Sequence, residues 1–219
     1  MKFDADSEVE LAKYLRAFSN ARYHHRSGIH IYADEKEVRK AVASLQHKES
    51  AIDFGCGNGK SSELLRELGF KQVHLVDFIT PDFLAVDIND AVVFHRASLW
   101  DKALYALPKC DFSVCTDVLE HIPEQHVDQV LDLIADRLQD TGIAYFRIAL
   151  WGSETEDQRR KAKEKYGGEL HVTVKPSQWW LEKLIHRWKY TQLDVWTNPN
   201  KPNRRVLIAF CSKTNPLES

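Results

Sequence analysis

Apolar residues recur along this chain in two rhythms. Val9, Leu11, Ala12, Leu15 and Phe18 fall at helical spacing, as do Val38, Ala41, Val42 and Leu45, so the first 45 residues read as helical decoration. The rhythm then changes to short apolar runs separated by helical stripes. Ala51-Ile52-Asp53-Phe54 is such a run, followed by a stripe at Leu64, Leu65, Leu68 and Phe70 and a second run from Gln72 to Asp77. Further runs cover residues 91–96, 111–116 and 142–150. Between the last two lies a stripe of Val127, Val130, Leu131, Ile134 and Leu138, with Pro123 well suited to a helix start. Beyond them come a helical stripe with Leu181, Leu184, Ile185 and Trp188 inward, and two alternating segments, Tyr190 to Trp196 and Arg204 to Cys211, around a turn-rich connector. Strands alternating with helices predict an α/β fold with a mostly parallel, doubly wound sheet; the last two strands, with no helix between them, predict an antiparallel C-terminal hairpin.

The first strand runs into Gly55-Cys56-Gly57-Asn58-Gly59-Lys60. Glycine accepts positive φ and has no Cβ, so this sequence predicts a sharp turn whose backbone a ligand can approach, feeding a helix whose free N–H groups face the loop. Asp77 ends the second strand 18 residues after Gly59, the length of one helix and a return strand, where an acid can accept hydrogen bonds from ribose hydroxyls. Asp87 is a rival, disfavoured because it adds ten residues. Two other nucleotide patterns fail. A dinucleotide fingerprint needs glycine where Lys60 stands, and a phosphate loop needs glycine where Phe54 stands.

The stretch resembles motif I of the class I S-adenosylmethionine-dependent methyltransferases, with Asp53, Gly55, Gly57 and Gly59 in matching places. Asp77 and the segment Asp111 to Pro123, which includes Asp117-Val118-Leu119-Glu120-His121-Ile122-Pro123, continue the resemblance over about residues 50 to 150. It implies a Rossmann-like sheet of seven strands in a domain of residues 46–219, with a charged insertion at about 151–170 serving as a substrate lid. The implied cofactor is S-adenosylmethionine, with S-adenosylhomocysteine as product. The implied contacts are Asp53, Gly55, Cys56, Gly57, Asp77, Phe78 and Asp117, with Ser98 or Asp101 near the adenine amine and Leu99 or Trp100 on its face. Tyr23 or Arg26, in the N-terminal segment, would reach the methionine carboxylate or the acceptor.

Length and 43% hydrophobic content fit one well-cored unit, and no apolar run reaches membrane-spanning length or forms a signal-peptide core, so a cytoplasmic enzyme is expected. Cys56, Cys110, Cys115 and Cys211 have no metal-site spacing and read as buried hydrophobes in a reducing compartment. The net charge of -2 conceals an asymmetry. Residues 151–219 carry 13 Lys and Arg against 8 Asp and Glu, or +5, leaving -7 on the rest. A solvated basic face explains this, and so does an anionic acceptor.

The catalytic candidates are Glu120, His121 and His171. His121 sits just before a helix N-terminus, whose partial positive charge keeps imidazole neutral and fit to act as general base. His171 follows the insertion, where resembling enzymes place a histidine over the active site. Asp117, Glu120 and His121 also resemble the acid, acid, histidine set that binds a divalent ion in the quinone-biosynthesis O-methyltransferases, with Asp in place of the first Glu; a metal is compatible but not predicted. The loop lacks the Asp/Asn-Pro-Pro-aromatic motif of nucleic-acid amino methyltransferases and the Pro-Cys of cytosine-carbon enzymes. The expected reaction is methyl transfer to an oxygen or nitrogen of a small acceptor. Two alternatives stand: a modifier of nucleic acid or protein, suggested by Arg204-Arg205, and an inactive cofactor-binding partner subunit. The oligomeric state is open.

Overall fold

The computed structural model describes residues 3–24, 30–150 and 155–215. Arg26 and residues 151–154 of the insertion lie outside the described residues. The first strand, β1 (Ser50–Phe54), is buried along its whole length and pairs in parallel with β2 (Gln72–Asp77) on one side and β4 (Cys110–Thr116) on the other. Parallel strands covered on both faces must be apolar throughout, which is why these runs do not alternate. Outward from β2 lies β3 (Val92–Arg96); outward from β4 lie β5 (Leu138–Ala149), β7 (Lys201–Ser212) and β6 (Tyr190–Asn198). The order β3-β2-β1-β4-β5-β7-β6 has only β7 reversed, giving the antiparallel hairpin at the C-terminal edge.

Seven helices complete the described chain: α1 (Ala5–Phe18), α2 (Ala21–His24), α3 (Glu35–Ala43), α4 (Ser61–Glu67), α5 (Glu124–Arg137), α6 (Glu156–Tyr166) and α7 (Ser177–Ile185). Helices α3 and α4 cover one face, where Val38, Val42, Leu64 and Leu65 meet Ala51, Leu75 and Phe112. Helix α5, with Trp180 and Leu184 of α7, covers the other, against Ile52, Phe54 and Phe146. All four cysteines are buried and free. Among the described residues no helix is long and apolar enough to cross a membrane.

Several expectations need correction. On α1 the predicted inner stripe is partly the outer one: Val9 is 61% and Leu15 36% exposed, while Glu10, Lys13, Tyr14, Ala17 and Phe18 are buried. Its inner face meets a cavity, which tolerates polar groups, so hydrophobicity does not mark it. Ile185, expected inward, is 55% exposed because α7 ends there and Trp188 takes the inner position. The strand expected to begin at Gly142 starts four residues earlier, at Leu138; a Cβ at Gly142 would stand 2.9 Å from the Asp111 carbonyl, beside the register shift between Cys110 and Phe112. Between β2 and β3 there is only a 3-10 turn, Pro81–Phe83, where a crossover helix would normally stand.

Candidate active site

The sheet reverses its winding between β1 and β4, and a cavity of about 580 Å³ opens there, at the C-terminal ends of the strands. This is where open parallel sheets place ligands, and the volume falls within the range of small-molecule sites. Its floor includes Gly55 and Gly57 after β1, Asp77 and Phe78 after β2, and Leu99 after β3.

Gly55, Gly57 and Gly59 all have positive φ, at 84°, 55° and 79°. At Gly55 the requirement is also steric, because a Cβ would stand 2.4 Å from a Val118 methyl. The amides of Gly55 and Cys56 donate to the Val76 carbonyl at 2.8 and 3.1 Å, fastening the loop to the end of β2. Beneath the loop, Asp53 accepts from the Ser61 hydroxyl at the start of α4, and burial pushes its carboxyl up to about 7. Asp77 accepts N–H bonds from Gly57 at 2.9 Å and Ile79 at 3.2 Å. Burial outweighs these bonds and raises its carboxyl to about 6.

Past β4, Asp117 is the one described non-glycine residue with positive φ, at 52°. Its carboxylate is ion-paired with Arg147 of β5, whose Nε also faces Asp34 at 3.3 Å; Asp34 in turn accepts from the Tyr145 hydroxyl at 2.6 Å. Glu120 is fully buried. Its Oε1 accepts from the Ala149 amide at 3.1 Å, its Oε2 has no hydrogen-bond partner, and burial raises it to about 7.

Residues 170–173 lie across the loop after β4. The Val172 and Thr173 amides both donate to the Glu120 carbonyl at 2.9 Å, and the Thr173 hydroxyl donates to the Ile122 carbonyl at 2.6 Å. His121 Nδ1 lies 2.9 Å from the Leu170 carbonyl, which can only accept, so Nδ1 carries a proton. The ring of His171 stands edge-on to that of His121, centroids 4.5 Å apart. Donor atoms of Glu120, His121 and His171 lie within 4.8 Å of one another, a group able to hold a metal ion. Helix α1 forms part of the cavity wall through Glu10, Tyr14 and Phe18; Lys13 pairs with Glu10 at 2.6 Å and donates to the Glu169 carbonyl at 3.1 Å.

A family model described as a methyltransferase domain matches residues 23–197, most of the chain. The chain belongs to the class I S-adenosylmethionine-dependent methyltransferases. No curated protein sequence matches it. Among solved structures, this methyltransferase is similar to the N-methyltransferase NodS from Bradyrhizobium japonicum, solved with S-adenosylhomocysteine: TM-score 0.65 at 10% identity, covering 94% of this chain and 99% of that one. An O-methyltransferase family protein from Burkholderia thailandensis gives 0.60 at 16%, covering 96% and 69%. TehB from Haemophilus influenzae gives 0.57 at 17%, covering 83% and 62%. At such identities the likeness shows the fold.

Of the residues singled out from the methyltransferase sequence, Gly55, Gly57, Asp77, Phe78, Leu99, Asp117, Glu120, His121 and His171 line the cavity. Asp53, Cys56 and Ser98 do not. Asp53 and Cys56 are buried under the glycine loop, and the Ser98 hydroxyl is bonded to that of Ser7 on α1. Asp101, the other candidate for the adenine amine, instead caps the 3-10 turn that follows it, accepting from the Ala103 amide. Asp87 is exposed and outside the cavity lining. Trp100 lines the cavity, with its indole N–H donating to Asp4 at 2.9 Å. Tyr23 lines it too. The sequence reading missed Glu10, Tyr14, Phe18 and Arg147. The first three share an i, i+4, i+8 face, and Arg147 is a lone charge inside an apolar run; both were available signals.

Proposed function

We propose that this methyltransferase moves a methyl group from S-adenosylmethionine to an oxygen or nitrogen of a small acceptor, with His121 as general base. The observation carrying this reading is that Gly55, Gly57, Asp77 and His121, from three separate strand ends, line one cavity large enough for a cofactor and an acceptor. The residues suit the cofactor. Asp77 offers carboxylate oxygens to ribose hydroxyls, Phe78 and Leu99 offer apolar surface to adenine, and the glycine loop offers bare backbone to the methionine portion. When bound, the cofactor supplies an activated methyl group on a sulfonium.

The chain's own contribution is placement and proton removal. The Leu170 carbonyl holds His121 as the Nδ1–H tautomer, so in the neutral ring the lone pair sits on Nε2, ready to accept a proton from an acceptor hydroxyl or amine. A base so placed contributes about 10²- to 10⁴-fold. Helix α1 covers the cavity and limits water.

A second reading is favoured by the Glu120 oxygen that has no partner beside His121 and His171. These three would hold a divalent ion, which as a Lewis acid would acidify an acceptor hydroxyl. The two readings separate in a methyl-transfer assay after dialysis against a chelator. Unchanged turnover supports the base, and loss restored by added Mn²⁺ or Zn²⁺ supports the metal. Calorimetric titration with S-adenosylmethionine tests the common ground, and absence of binding would refute both.

A further inference from the structure

Two of the four acids that line the cavity are compensated from within the protein. Glu10 is paired with Lys13, and Asp117 with Arg147, which also faces Asp34. Asp77, the last residue of β2, and Glu120, in the turn after β4, have no Lys or Arg partner among the described residues and are buried, 8% and 0% exposed. Two cavity-lining charges stand apart. Arg204 and Arg205, near the start of β7, are both exposed, and among the described residues neither has a carboxylate partner, unlike Arg147 in the same cavity.

Beside them, on the neighbouring strand, Trp196 also lines the cavity and is 42% exposed, although it is among the largest apolar side chains of the chain. Trp196 pairs with Val206 and Thr197 with Arg205 in the hairpin ladder, so by the alternation of side chains Trp196 shares a face with Arg204, two positions before Val206, and Arg205 stands on the other. Both arginines lie beyond residues 23–197, the span the family model matches.

A guanidinium presents a planar fork of donors suited to carboxylate or phosphate, and an indole face suits a flat or apolar body. At the hairpin edge of the cavity, away from buried Asp77 and Glu120, two uncompensated cations would attract an anionic acceptor and repel a cationic one. We propose that Trp196 and Arg204, with Arg205 beside them on the cavity lining, form the acceptor's anchor, and that the acceptor is a small molecule bearing a carboxylate or phosphate on a flat or apolar body. This inference rests on the methyl-transfer reading above and adds the acceptor's chemical class to it.

The test is calorimetric titration of protein saturated with S-adenosylhomocysteine, using benzoate, inorganic pyrophosphate and, as the neutral counterpart of benzoate, benzamide. The wild type should bind at least one of the two anions at least tenfold more tightly than the Arg204→Gln/Arg205→Gln variant. Benzamide should not distinguish the two proteins, and both should bind S-adenosylhomocysteine equally, which also shows the variant is folded. With that binding intact, equal anion affinity in the two proteins, or no anion binding by the wild type, overturns the anchor alone. Loss of S-adenosylhomocysteine binding by the wild type overturns the methyl-transfer reading and the anchor with it. A second measurement follows tritiated methyl from S-adenosylmethionine into a metabolite and nucleic-acid extract. A small labelled product retained on an anion exchanger supports the proposal. A neutral product, or a labelled polymer destroyed by nuclease, overturns it.

Discussion

Replacing Asp77 with asparagine should separate two roles that one carboxylate combines. In the folded protein its pKa is about 6 against an ordinary value of 3.8. At about 1.4 kcal/mol per unit, holding it ionised above pH 6 costs the protein about 3 kcal/mol. The unfolded chain releases this proton near pH 4, while the folded chain keeps it until about pH 6. Between those values the folded state binds more protons, so the contribution of Asp77 to stability falls as pH rises through the window. The Asp77→Asn change would remove that charge but leave one of the Gly57 and Ile79 amides facing an NH₂ group, a loss of about 1–3 kcal/mol. The cofactor-free variant should therefore melt within a few degrees of wild type at pH 8. Its affinity for S-adenosylmethionine should not hold. Each hydroxyl bond to a charged carboxylate contributes about 1.5–3 kcal/mol, so affinity should drop about 10- to 100-fold. Wild-type affinity should also decline as pH falls through about 6, a decline that the variant lacks. Asp53, raised to about 7, remains in both proteins, so the difference between their profiles isolates Asp77. Calorimetry from pH 5 to 8 supplies both profiles; superimposable curves, or undiminished affinity in the variant, would refute the ribose assignment.

His121→Ala should leave S-adenosylmethionine affinity within twofold of wild type and lower kcat by about 10²- to 10⁴-fold in a methyl-release assay; equal turnover removes it as the base. Gly55→Ala forces a non-glycine residue to φ 84° and drives a methyl into Val118, so urea unfolding should show a loss of at least about 1–2 kcal/mol. Val118→Ala in the same chain should recover part of that loss. Arg147→Met strands two largely buried carboxylates, those of Asp34 and Asp117, and should cost about 3–5 kcal/mol in the same experiment. A loss under about 1 kcal/mol would mean that the two acids stay solvated.

Local signals carried the frame of this fold. Apolar runs located five strands and alternation the last two, and the Gly55–Gly59 turn with Asp77 located one side of the cavity, because strand, turn and return strand are contiguous in sequence. What escaped depends on residues brought together from far apart. The Asp34–Arg147–Asp117 network joins three separate segments, and no spacing rule links them. Gly55 read as room for a ligand, yet its nearest neighbour is Val118, 63 positions later. Ser98 sat at the right strand end for adenine but faces Ser7 on α1. Helix α1 misled for a different reason. Its inner face carries Glu10 and Lys13, paired with each other, beside Tyr14 and Phe18, so hydrophobicity alone does not mark the buried side.

The orientation of His121, the proposed base, is set by backbone. Its Nδ1 proton is held by a main-chain carbonyl, that of Leu170, where a carboxylate would have brought an additional negative charge to the ring. That carbonyl is in turn set by main-chain bonds from Val172 and Thr173 to Glu120 and by the Thr173 hydroxyl on Ile122. No substitution at position 170 can delete the carbonyl; only displacement of the whole 170–173 segment can. Thr173 is fully buried and ties that segment by its side chain to the loop after β4, so it bears on the proposed base at one remove, through the Ile122 carbonyl. The same segment carries His171 and is tied through Glu169 to Lys13 of α1, so a shift of α1 on the cavity wall would be felt at the tautomer-fixing carbonyl. Cavity wall and proposed base are thus joined by a continuous chain of bonds, although 108 residues separate Lys13 from His121 in sequence.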